Sequence, residues 1–283
     1  MLAWSGAAPP IRVDATPSRP AAAVAACLRA PRCDQTFVVA HRGRGFGAPE
    51  NSVEAVARAL EHGIEVVKID LRASRDGEVF VLHDPTLDRT TTQRGEIAGR
   101  TAGELRTVRL ENGEPLPRFE DMYRRFAGRV LFVLDCKVDV MERVAAWMAA
   151  QGSLDDAVFL VGSEAQMRSL ARTRVRYPVL MVAARLVNWW DLPVIWDIFG
   201  GPPDILHTDL TAPADLAEVR RRARGVKVFA KALDVERRIW PFGERAVRRL
   251  VDARPELILT AEPVRVQQQI REQVPVSRGQ ADS

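Results

Sequence analysis

Residues 66–72 read Val66-Val67-Lys68-Ile69-Asp70-Leu71-Arg72, and alternation along an extended chain sorts them into two faces. Val67, Ile69 and Leu71 form a wholly apolar face, while Val66, Lys68, Asp70 and Arg72 share the other. The apolar face has to pack on a layer of helices, which turns Lys68 and Asp70 the opposite way, roughly 7 Å apart by strand rise. Residues 130–137 repeat the pattern. Phe132, Leu134 and Cys136 form an outward apolar face, and Leu131, Val133, Asp135 and Lys137 point inward. Strands that carry charge on the side away from the helices belong in a barrel whose interior opens at one end.

The rest of the chain fits that geometry. Short runs rich in Val, Ile, Leu and Phe occur at 37–40, 66–71, 79–82, 130–136, 158–161, 179–182, 205–207, 226–230 and 257–260, mostly separated by amphipathic helical stretches. Parallel strands with helical crossovers give this alternation, and eight strands close a (β/α)8 TIM barrel. One run is therefore surplus. The gap 72–78 is too short for a helix, so 79–82 is either a hairpin partner or an irregular barrel strand. The expected organisation is an N-terminal arm over 1–36 with a short helix at 21–30, a barrel over 37–273 and a disordered tail over 274–283.

Composition narrows the class. With 47% hydrophobic and 28% charged residues, the chain of 283 residues can bury a large core. The net charge of +4 comes from scattered arginines, with no basic tract interleaved with aromatics. An anionic small molecule is thus a better partner than nucleic acid. Residues 1–10 lack the basic start and apolar run of a signal peptide, and no run approaches the roughly 18 apolar residues of a membrane span. Cys27 and Cys33 are close enough for a local bridge, which an oxidising compartment would favour, and Cys136 reads as buried. The residues leave open the cytoplasm or an extracytoplasmic compartment reached with a leader since lost.

In such barrels the reactive groups stand where strands end. Of the four histidines, His41, His83 and His207 do so; a packing role is the default for His207, and His62 reads as a helix-surface residue. Only Lys68, Lys137, Lys227 and Lys231 are lysines in a chain with 41 basic residues, and all lie on or beside strand runs. Isolated charges inside a barrel cost several kcal/mol each. Two acids and two lysines in one cavity are therefore either paired structural salt bridges or an anion site, and the placement at the mouth favours the second.

Four separated segments now carry a family resemblance: AHRG (40–43), APENS (48–52), KIDLRASRDG (68–77) and VLHDPTLDRTT (81–91). In this order and spacing they resemble the glycerophosphodiester phosphodiesterase family, with weaker echoes in LDCK (134–137), Ser163 and LTAEP (259–263). The resemblance implies cleavage of a glycerophosphodiester or lysophospholipid, with His41 and His83 as general acid and base. It implies that Arg42 grips a phosphate oxygen, that Glu50 and Asn51 anchor the site, and that the substrate's own hydroxyl attacks phosphorus to give a cyclic phosphate. Lys231 and Trp240, beside and after a late strand, are read as substrate-binding.

The family normally holds a divalent cation, Mg²⁺ or Ca²⁺, with a Glu-x-Asp pair and a later acid. Here the candidate metal ligands are Asp70 and Asp135, and Lys68 stands where the Glu is expected. Loss of a hard oxygen ligand and gain of a positive charge should weaken the ion. Related sphingomyelinase D enzymes also carry an Asp-x-Lys strand, as in Asp135-Cys136-Lys137. Three readings stay open: Lys68 replaces the cation, a weakened metal persists on Asp70 and Asp135, or the barrel binds phosphodiesters without cutting them. Residues 188–203, with Trp189, Trp190 and Trp196, follow a strand and either cover a lipid chain, choline head or membrane interface at the mouth, or pack as a core helix.

Overall fold

The computed structural model describes residues 21–233 and 242–273. The strands are β1 (Phe37–His41), β2 (Val66–Ala73), β3 (Val79–Val81), β4 (Leu131–Cys136), β5 (Ala157–Val161), β6 (Met181–Leu186), β7 (Ile205–Thr208), β8 (Lys227–Lys231) and β9 (Leu257–Thr260). Between and around them run α1 (Ala21–Arg29), α2 (Val53–Glu61), α3 (Ala102–Leu105), α4 (Phe119–Phe126), α5 (Met141–Ala150), α6 (Glu164–Arg176), α7 (Asp191–Phe199), α8 (Pro213–Arg222), α9 (Phe242–Asp252) and α10 (Pro263–Gln273).

The sheet order β1-β9-β8-β7-β6-β5-β4-β2, with β1 also pairing β2, closes an all-parallel barrel of eight strands. The surplus run is β3, an antiparallel hairpin partner of β2 with Leu71 opposite Val81 and Ala73 opposite Val79. That pairing extends β2 to Ala73 and brings His83, two residues past the end of β3, to the mouth.

Alternation divides the core as the sequence implies. Inward residues such as Val39, Val66, Leu131, Val133, Val158, Met181, Ile205, Phe229 and Leu257 form one cluster. Outward residues such as Val67, Ile69, Leu71, Phe132, Leu134 and Cys136 pack on the helices in another. The helix of the arm, α1, adds Ala21, Val24, Ala25 and Leu28 to the inner cluster and so seals the barrel at the end opposite the mouth. Cys27 and Cys33 are joined as a disulfide there, and the buried Lys227 ammonium donates to the Ala30 carbonyl at 2.7 Å. Lys227 thus holds the base of the barrel and is remote from the mouth.

Two expectations shift. The run at 179–182 becomes a strand only from Met181 and continues through Arg185 to Leu186. Pro178 and the Leu180-to-Tyr177 turn delay its start. The tryptophans of 188–203 divide: Trp189 and Trp196 pack against the outer core, while Trp190 is 86% exposed on the loop after β6. Trp240 and the expected tail lie outside the described residues.

Candidate active site

The first wall of the mouth is built by β1, β2 and β4. His41 ends β1 in register with Lys68, and the chain then reverses through Arg42 and Gly43, with φ of 60° and 68°. A Cβ on Gly43 would lie 2.8 Å from that of Ala55, so only glycine lets α2 approach so closely. The Arg42 N–H donates to the Lys68 carbonyl at 2.9 Å, and the Asn51 N–H donates to the Arg42 carbonyl at 2.8 Å. Asn51, also at a φ of 60°, is buried; its amide donates to Asp70 Oδ2 at 3.1 Å. A left-handed Asn held this way is backbone strain retained to fix a carboxylate.

Asp70 and Asp135 are register partners on β2 and β4. Between them stands Lys68, its Nζ 2.5 Å from Asp70 Oδ1 and 2.7 Å from Asp135 Oδ2. Lys137 Nζ lies 2.7 Å from the same Asp135 oxygen and 3.3 Å from Asp70 Oδ1. Arg42 contributes Nη1 to Glu50 at 2.9 Å and Nε toward Asp70 at 3.2 Å. Burial alone would discourage the charges, but Lys68, Lys137 and Arg42 outweigh it and hold the Asp70 carboxyl well below the usual range. By the same balance, burial opposes the Lys68 charge while Asp70 and Asp135 carry its pKa above the ordinary lysine value.

The two histidines have different surroundings. His41 is desolvated and faces Lys68 and Arg42, which together lower its pKa to about 2, so its ring is neutral at ordinary pH. His83 sits on the segment 82–118, which has its own small core of Leu82, Leu87, Ile97, Leu105 and Leu116. Its Nδ1 is 2.6 Å from Asp84 Oδ1. Asp84 in turn receives Arg89 Nε at 2.5 Å, and Arg89 Nη2 reaches Glu50 at 2.6 Å. A chain of contacts thus runs from the His83–Asp84 hydrogen bond through the ion pairs of Asp84 with Arg89, Arg89 with Glu50, Glu50 with Arg42 and Arg42 with Asp70.

These groups open into one cavity of about 580 Å³ lined by His41, Arg42, Lys68, His83, Asp135 and Lys137. Glu50 and Asn51 lie behind the lining as supports. Lys231 lines the opposite wall, 3.4 Å from Asp209. Among the lining residues that the sequence reading left out of the site are Arg72, Gln166, Arg185 and His207. His207 is 4% exposed and turned into the barrel. Arg72 donates Nε to the His83 carbonyl at 2.8 Å and has no carboxylate partner among the described residues. The inward alternation of 66–72 already placed Arg72 beside Lys68 and Asp70. His62, by contrast, ends α2 and is half-buried against Phe46, with ring centroids 4.8 Å apart.

The donor set does not suit the divalent cation expected from the family pattern. A hard cation needs several oxygens at about 2.0–2.6 Å, and the Lys68 ammonium occupies hydrogen-bonding positions on the two oxygens that would supply them. Among the described residues no three His, Cys, Asp or Glu side chains converge on a metal position.

Comparison with known proteins agrees with the barrel fold. The profile of the glycerophosphoryl diester phosphodiesterase family matches residues 41–164. YhdW of Bacillus subtilis is 26% identical over 159 residues, 52% of this chain and 64% of that protein. A glycerophosphodiester phosphodiesterase of Caldanaerobacter subterraneus is 39% identical over 74 residues, 26% of this chain and 30% of that protein. The chain therefore spans less than two thirds of either relative. A glycerophosphoryl diester phosphodiesterase structure from Parabacteroides distasonis superposes with a TM-score of 0.77 at 24% identity, covering 93% of this chain and 96% of that one. An Oleispira antarctica phosphodiesterase in complex with the product sn-glycerol-3-phosphate gives 0.62 at 22% identity, over 83% and 96%. At these identities the structural likeness is one of fold. The stretch 41–164, which carries both mouth histidines and the lysine–aspartate cluster, is thus the part of this chain that matches the glycerophosphoryl diester phosphodiesterase family.

Proposed function

We propose that the protein is a phosphoric diester hydrolase acting on glycerophosphodiesters, with His41 as general base, His83 as general acid, and Lys68 in place of the family's cation. The observation that carries this reading is the Lys68 ammonium seated between Asp70 and Asp135. Charge arithmetic supports it. A glutamate with a divalent cation sums to one positive charge, and so does a single ammonium. The substitution therefore keeps the electrostatic balance of a loaded site without a metal, and fixed positive charge serves a phosphoryl transition state in either form.

The remaining groups divide the work. Arg42, Lys68 and Lys137 are each shared with carboxylates, whereas Arg72 has none among the described residues and offers its outer nitrogens to a non-bridging phosphate oxygen. Neutral His41 accepts the proton of the substrate hydroxyl next to the phosphate as that oxygen attacks phosphorus. The bond to the leaving oxygen breaks, and His83, whose Nδ1 is engaged by Asp84, delivers a proton to it. The products are an alcohol and a cyclic phosphate, which water can open.

Release of the alcohol from glycerophosphoglycerol, assayed with and without a chelator, tests the reading. Full turnover after chelation is expected. Activity that vanishes with EDTA and returns with Mg²⁺ or Ca²⁺ would reject the lysine substitution, and absence of turnover under every ion would favour a barrel that binds without cleaving. Exposed Trp190, with the exposed Val187 and Val194 on the same rim, supports access to a lyso-lipid at a membrane surface as a second substrate reading.

A further inference from the structure

The wall opposite β2, made by β6, β7 and β8, carries polar groups that phosphate chemistry does not use. His207 Nδ1 lies 3.1 Å from the Phe229 carbonyl oxygen, and its ring rests 4.4 Å from that of Phe229. A carbonyl oxygen only accepts, so Nδ1 carries the ring proton and Nε2 presents a lone pair to the cavity. Burial lowers the pKa of His207 to about 4, which keeps the ring neutral at ordinary pH. Its register partner on β6 is Arg185, which gives Nη2 to Asp209 at 2.5 Å and keeps further N–H donors for the cavity.

A fixed acceptor beside a fixed donor selects among chemical groups. A quaternary ammonium has neither an N–H for His207 nor a lone pair for Arg185, and the described lining residues include no Trp, Tyr or Phe ring to cradle it. A carboxylate or second phosphate would satisfy Arg185 but bring its lone pairs against that of His207. A hydroxyl donates to one and accepts from the other. We infer that Arg185 and His207 form a subsite for a polyol portion of the substrate. This rests on the phosphodiesterase reading, and the polyol is either the glycerol shared by all such diesters or a hydroxylated head group.

The test measures KM and kcat of wild type, His207→Leu, His207→Asn and Arg185→Gln on glycerophosphocholine and glycerophosphoglycerol. Each lost hydrogen bond should raise KM about tenfold with a smaller change in kcat, and His207→Asn, which restores an acceptor, should recover part of it. An equal rise on both diesters assigns the subsite to the shared glycerol; a rise on glycerophosphoglycerol alone assigns it to the head group. KM within about twofold of wild type for both His207→Leu and Arg185→Gln overturns the subsite. Arg185, 40% exposed, can be replaced without disturbing the core, which covers the case in which His207→Leu fails to fold. If nothing is turned over, the phosphodiesterase reading fails separately. Calorimetric binding of glycerophosphoglycerol then decides: weaker binding by the variants supports the subsite, and equal binding, or none by wild type, overturns it.

Discussion

Lys68 and Asp135 face each other across neighbouring parallel strands, Nζ to Oδ2 at 2.7 Å, with Asp70 on the far side of the same ammonium at 2.5 Å. The ammonium is 5% exposed and Asp70 fully buried, so each charge depends on the others. Lys68→Met should leave Asp70 and Asp135 facing without their shared counter-charge, and breaking a buried pair in this way costs about 3–5 kcal/mol. Chemical denaturation should show that loss, with turnover abolished. Lys68→Glu should instead recreate a set of oxygen donors: its thermal midpoint should rise on adding Mg²⁺ or Ca²⁺, and that of the wild type should not.

Arg72 provides a separate handle on the phosphate. Its guanidinium is held by the His83 carbonyl at 2.8 Å and has no carboxylate among the described residues to share its charge with. Removing one preorganised positive donor from a transition-state charge costs about 10²–10³ in rate. Arg72→Gln should therefore lower kcat/KM by about a hundredfold. It should weaken binding of sn-glycerol-3-phosphate in calorimetry and leave the thermal midpoint close to wild type. A variant with unaltered kcat/KM would remove Arg72 from the site.

How much of this was legible in the residue string depended on range. Strict alternation in 66–72 and 130–137 oriented Lys68, Asp70, Asp135 and Lys137, because each apolar face is uninterrupted. The same alternation put Arg72 inside, but only the fold shows that no acid among the described residues meets it. Arg185 was hidden because a charged residue looks like the end of a strand, and β6 runs one residue beyond it. His207 looked structural because its partner, the Phe229 carbonyl, is 22 residues away and reaches it only through the β7–β8 register. The Arg89–Glu50 pair, 39 residues apart, was invisible for the same reason.

The disulfide at the barrel base should matter for stability and not for chemistry. Cys27 and Cys33 are separated by six positions, and α1 between and before them plugs the inner cluster. On the loop-closure argument, a ring of this size is worth about 2 kcal/mol. The double substitution Cys27→Ser with Cys33→Ser should lower the denaturation free energy by about that amount. It should make the protein insensitive to reductant and keep kcat/KM. A loss of activity at unchanged stability would contradict this division between base and mouth.

Stability should fall as pH drops, from a different cause than the usual carboxylates. His41 and His207 have folded pKa values lowered from 6.5 to about 2 and about 4, burial being the first cause for both. In the unfolded chain both would bind protons near their ordinary value, so between pH 6.5 and the folded values the unfolded state holds more protons. Stability from these groups is complete above 6.5 and is lost as pH falls through that window. Each group steepens the decline by at most about 1.4 kcal/mol per pH unit. Denaturation midpoints followed from pH 7 to pH 4.5 should therefore fall in wild type, and fall less steeply in His207→Leu, whose missing imidazole cannot take up a proton on unfolding. Equal slopes in the two proteins would show that His207 is already protonated in the folded state, and Nε2 would then be a donor instead of the acceptor that the polyol subsite requires.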